Sequence, residues 1–126
     1  MTGGAVLGLA HLRVARPTDD LVAVVRFYRD GLGLDLLYEF KDHSEFDGVM
    51  LGRKGAGYHL EFTRKAGHRV GKAPTEDNLL VFYLPDRVEW ERAVERLLQH
   101  GYQSPRPPEH DRTHHRLGTR KADRSS

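Results

Sequence analysis

His11 and Arg13 stand two residues apart in the segment Leu7 to Ala15, and His59 and Glu61 stand two apart in Tyr58 to Arg64. In an extended strand, successive side chains alternate between faces. Each pair therefore shares one side, opposite Leu12 and Val14 in the first segment and opposite Tyr58, Leu60 and Phe62 in the second. The polar face of the second strand could meet that of the first and gather two imidazoles, a guanidinium and a carboxylate. The chain has no cysteine, so a metal here would need His and carboxylate ligands, and neither a disulfide nor a cysteine nucleophile is available. Without a metal, Glu61 flanked by Leu60 and Phe62 is costly to bury unless paired, and Arg13 could pair with it. His11 could equally be a hydrogen-bonded residue of a half-buried strand, and His59 a second polar neighbour.

The elements that position these residues follow a recurring order. After the first strand, Pro17 breaks the chain and Thr18 is an N-cap candidate. Leu21, Val24, Val25, Tyr28 and Leu32 then recur at helical spacing, which predicts an amphipathic helix of about four turns ended by Gly31 and Gly33. Three strands follow, Leu34 to Phe40, Phe46 to Gly52 and Tyr58 to Arg64, separated by polar and Gly-rich turns. Gly67 to Asp77 reads as a linker. The apolar run Asn78 to Leu84 then reads as a buried strand, and Val88 to Leu98 as a helix with Trp90, Ala93, Val94, Leu97 and Leu98 on one stripe. Strand and helix thus start a second time.

A strand, a helix ending in Phe27-Tyr28, and the exit Gly31-Leu-Gly-Leu34 into further strands resemble the opening of a vicinal oxygen chelate module. That superfamily includes glyoxalase I, extradiol dioxygenases, fosfomycin-modifying enzymes and bleomycin-resistance proteins. The resemblance implies an α+β fold of paired βαβββ modules whose strands form a cup-shaped sheet. It extends over a glyoxalase/bleomycin-resistance-like domain at residues 1–108, with module one at about 7–64 and module two at about 77–108. The second module is incomplete at its C-terminus: residues 109–126 form a polar, basic tail with no apolar alternation, and no buried closing strand is expected there. A disordered or non-family tail follows from that composition. The abrupt shift near residue 109 suggests a departure from the ancestral reading frame. Reading the other two frames of the final stretch of the gene tests this, and the idea fails if neither encodes a polar turn followed by an apolar strand.

The resemblance also implies roles. His11 falls on the first metal-ligand position once an insertion around Arg16-Pro17 is allowed, and Glu61 on the second, where it is also the candidate catalytic residue. The third position is occupied by Glu76-Asp-Asn78, and Asn78 is a poor transition-metal ligand. Arg13, His59, Asn78 and Phe82 are candidates to bind substrate, and Tyr38, Phe40, Phe46, Met50 and Tyr83 are core or cup lining. A divalent Fe, Mn, Ni or Zn ion would polarise two neighbouring substrate oxygens. The activity implied is a metal-dependent lyase or dioxygenase acting on a small organic molecule; the alternatives are a metal-free antibiotic-binding protein or a defective relative. A homodimer is implied as well.

Composition bounds the remaining classes. A chain of 126 residues with 38% hydrophobic content suits one compact domain. No apolar run approaches the roughly 20 residues of a membrane span, and the start lacks a signal-peptide pattern, so a cytoplasmic protein without membrane partners is expected. The net charge of +2 is small, and the basic tail has no interleaved aromatics, so nucleic acid is not an expected partner. His114 and His115 in that tail are not expected to form a site.

Overall fold

The computed structural model describes residues 7–75, 77–103 and 116–118. Its centre is a four-stranded sheet in the order β1-β4-β3-β2, with β1 (Leu12–Pro17) parallel to β4 (Tyr58–Lys65) and the pairs β4-β3 (Phe46–Gly52) and β3-β2 (Asp35–His43) antiparallel. Packed with it are α1 (Leu21–Val25, running on as a π-turn through Arg26–Gly31) and α2 (Arg87–Gln99), which make this an α+β fold.

β1 starts five residues later than the sequence pattern predicts. Leu12 pairs with Tyr58 and its N–H donates to Gly57 O at 2.9 Å. Upstream of Gly57 lies the Arg53–Ala56 turn, so residues before Leu12 have no extended partner, and Ala10 N–H turns back to Leu7 O. The N-cap of α1 is Asp20, not Thr18. The Asp20 side chain accepts from Ala23 N at 3.0 Å, whereas the Thr18 N–H donates to Thr63 O and keeps that residue on the sheet. The helix with its π-turn spans eleven residues, about three turns rather than four. It ends in the π-turn because Leu32 N bonds Phe27 O.

The core lies between the helices and one sheet face: Val24, Phe27 and Tyr28 from the first helix, Val49, Leu51, Leu60 and Phe62 from the sheet, and Leu97 from α2. The Tyr28 and Phe62 rings stack at 5.0 Å, and Phe27 meets Tyr28 and Tyr102 edge-on. Gly31 lets the second helix approach, since a Cβ there would lie 3.2 Å from both Leu97 and Tyr102. Arg96 Nε adds a 2.8 Å bond to Asp30 O across the same junction. The carboxylate of Asp19 accepts from Val70 and Gly71 N–H, each at 2.8 Å, and so holds the linker against the start of the first helix.

In the second half, α2 is capped by Asp86, whose Oδ1 accepts from Val88 N at 2.8 Å. Leu98 lies off its buried stripe and is exposed. β5 contracts to Val81–Tyr83, because its partner β6 (Arg116–Gly118) is only three residues long. β6 lies in the tail whose composition predicts no closing strand; Leu117, its lone large aliphatic residue, sits in register with Phe82. The rest of the tail, with His114 and His115, lies outside the described residues, as does Glu76. Among the described residues, no helix is long and apolar enough to cross a membrane.

Candidate functional site

The parallel pairing of β1 with β4 sets Arg13 beside His59 and Ala15 beside Glu61, so the two polar faces merge on the side of the sheet away from the core. His11, one residue before β1, joins them. Its Nε2 lies 2.5 Å from His59 Nδ1, with ring centroids 4.8 Å apart. Arg13 Nε donates to His59 Nε2 at 3.0 Å, and Arg13 Nη1 lies 3.9 Å from Glu61 Oε2. The Glu61 side chain is only 15% exposed against 52% for Arg13, so the guanidinium partly covers its partner. Arg13 is therefore the hub that joins the carboxylate to the imidazoles.

His59 is held below its ordinary value near 6.5 first by burial, then by the positive potentials of His11 and Arg13, while Glu61 opposes the shift. The neutral ring is thus favoured. Because the folded-state value is depressed, His59 contributes stability that is fully present above the unfolded value and lost as pH falls through the folded one. Acidification just below neutrality is expected to lower the urea midpoint of the wild-type chain more than that of His59→Gln. Equal pH dependence in the two proteins would contradict this placement of the ring.

The same face continues across the sheet. Met50 is paired with Glu61, Gly52 with His59 and Gly48 with Thr63, and directly paired residues share a face. The Phe40 ring covers Gly48, and Leu37 packs beside Gly52, where a Cβ would lie 3.3 Å from Leu37 Cδ1. Tyr38, 6.2 Å from the Phe40 ring, is 58% exposed. An apolar wall therefore adjoins the polar cluster. Leu37 is the member that alternation misses. The β-bulge between Leu36 and Tyr38 resets parity, and no residue of the segment advertises it.

Of the remaining candidates, Asn78 is exposed and bonds Thr75 Oγ1 at 3.0 Å. Phe82 packs 6.2 Å from Tyr58, on the core side of β4, and so does not share the surface of His59 and Glu61. Among the described residues, no three His, Asp or Glu side chains are grouped to hold a metal ion. In the arrangement present, His11 Nε2 faces His59 and the Glu61 carboxylate faces Arg13, so this donor set does not by itself fit a divalent ion.

A cavity of about 600 Å³ lies elsewhere, between α1 and the β2-β3 edge. Most of its acids are already engaged: Asp19 and Asp20 by backbone N–H groups, Asp30 by Arg29 and Asp47 by the Asp42 N–H. The His-Arg-Glu cluster is the better candidate site, because there several groups capable of proton exchange meet on one open surface.

The sequence matches the YycE-like N-terminal domain over residues 12–63 and the YycE-like C-terminal domain over 77–110. The uncharacterized protein YycE of Bacillus subtilis (strain 168) is 46% identical over 94 residues, a match covering 75% of this chain and 68% of that protein. A 2.0 Å crystal structure of a Bacillus subtilis YycE protein of unknown function, proposed to be a glyoxalase/fosfomycin resistance protein, superposes with a TM-score of 0.67 at 45% identity. That match covers 75% of this chain and 69% of the other. The chain belongs to the YycE-like family.

Proposed function

We propose that the chain is a vicinal oxygen chelate protein that binds a small organic molecule on the open face of its sheet. The polar end of the ligand meets His11, Arg13, His59 and Glu61, and its body lies toward Met50, Phe40 and Tyr38. The observation that carries this reading is the convergence of those four polar residues beside an apolar wall, a pairing typical of small-molecule sites. The βαβββ order of the first half and the description of the solved relative as a proposed glyoxalase/fosfomycin resistance protein support the superfamily.

Calorimetry with small carboxylates, phosphonates and carbonyl compounds tests the site. Any binder is expected to lose at least about tenfold in affinity in Arg13→Ala, the scale of one charge-assisted hydrogen bond. Unchanged affinity contradicts the reading. Elemental analysis of untagged protein addresses the metal-dependent lyase or dioxygenase: stoichiometric metal that is lost in a His11→Ala, Glu61→Ala double variant would favour that activity over simple binding.

A homodimer fits the same reading. β1 ends the sheet order, and the bonds Leu12 N to Gly57 O and Thr18 N to Thr63 O direct its even-numbered amides to β4. The amides of Arg13 and Ala15 therefore point to the outer edge, where a second copy could pair. Ala15→Pro removes one such amide and spares the β4 ladder. Sedimentation is expected to show a dimer for wild type and a shift toward monomer for Ala15→Pro, and equal dimerisation of the two would exclude this edge.

A further inference from the structure

We infer that Arg13 is the positioning residue of this site: through His59 it fixes the tautomer of His11, so that the histidine pair presents an N–H donor to a ligand oxygen. The inference rests on the ligand-binding reading above for its purpose but not for its geometry.

A neutral imidazole carries one N–H and one lone pair, and a guanidinium can only donate. Because Arg13 Nε–H points at His59 Nε2 at 3.0 Å, that nitrogen must accept, and the His59 proton resides on Nδ1. Nδ1 lies 2.5 Å from His11 Nε2, so His59 donates there and occupies the lone pair of His11. The proton of neutral His11 is then on its Nδ1, which has no hydrogen-bond partner among the described residues. Three residues thus form a one-way chain of donors, Arg13 to His59 to His11, that ends at an open N–H. The acceptor that completes it is an oxygen of the ligand, whether carbonyl, carboxylate or phosphonate.

The chain depends on the fork shape of arginine. Nε serves His59 while Nη1 faces Glu61, and the point charge of a lysine cannot hold both directions at once. A purely structural ion pair with Glu61 would leave the imidazole tautomers to their own preference, which in free histidine favours Nε2–H.

Long-range proton–nitrogen correlation spectra of the imidazole rings, recorded on the ligand-free full chain above the histidine titration range, decide the matter. In wild type, His59 and His11 are expected in the Nδ1–H form. In Arg13→Met and Arg13→Lys, His59 is expected to shift to a mixture or to Nε2–H, and His11 to lose its preference. Arg13→Lys keeps a cation beside Glu61 and serves if Arg13→Met does not fold. An Nε2–H form of His59 in wild type overturns the inference, and so do tautomers that stay unchanged in a folded Arg13 variant. Because no ligand is present, this result stands apart from failure of the ligand-binding reading.

Discussion

Phe62→Ala is expected to destabilise the fold by about 3–5 kcal/mol, a large share of the roughly 5–15 kcal/mol that holds a domain of this size. Phe62 is 2% exposed and stacks on Tyr28, which has no exposed surface, so truncation leaves a cavity between β4 and the first helix. The surrounding residues Val24, Val49 and Leu60 belong to packed elements and cannot collapse freely into that space. Urea denaturation measures the loss, with Val22→Ala as reference: Val22 is 69% exposed on the outer side of α1, and its truncation is expected to stay within about 0.5 kcal/mol. Equal midpoints for the two variants would mean that the core does not lie where Phe62 meets Tyr28.

Gly48→Ala is the second large effect, and it connects packing to the ligand surface. A Cβ at this position would sit 2.1 Å from Phe40 Cζ and 2.5 Å from Cε1, so the ring cannot stay. The clashing atoms are the far end of a half-buried side chain on the open face, so the ring can swing aside and the expected cost is about 1 kcal/mol, below that of overpacking a closed core. The substitution also displaces the aromatic wall that adjoins Met50, so ligand affinity is expected to fall together with stability. Gly57→Ala is the control, because a Cβ there meets nothing within 4 Å. In a Phe40→Ala background the cost of Gly48→Ala is expected to shrink, since the clashing ring is gone. Full additivity of the two substitutions would show that Phe40 is not what Gly48 accommodates.

Much of the site was legible because a regular strand preserves its period of two. His59 and Glu61 share a face, and so does Arg13 with them, as alternation requires. What alternation cannot supply is the partner of each strand. The parallel pairing that brings Arg13 beside His59, the late start of β1 at Leu12 and the contraction of β5 to three residues all depend on which segment lies alongside. The bulge at Leu36/Tyr38 hid Leu37 for a similar reason, since one extra residue reverses every inference about sides. Phe82 shows the limit of composition: an aromatic near the start of the second module suits a ligand wall as well as a core, and only its approach to Tyr58 shows that it packs on the helix side. Asp20 caps in place of Thr18 because the helix begins only at Leu21, so that Thr18 Oγ1 accepts from Asp20 N–H ahead of the first turn. The family match to the C-terminal domain runs to residue 110, next to the point where the composition turns polar and basic.

In the proposed function, the ligand is received by the open face of the sheet and not by the groove beneath α1. Protein-observed chemical-shift mapping with small carboxylates, phosphonates and carbonyl compounds tests it most directly. Perturbations are expected to centre on His11, Arg13, His59, Glu61 and Met50 and to vanish in Arg13→Ala. Perturbations confined to Arg26, Lys41 and Arg64 in the groove between α1 and β2, unaffected by Arg13→Ala, would contradict it.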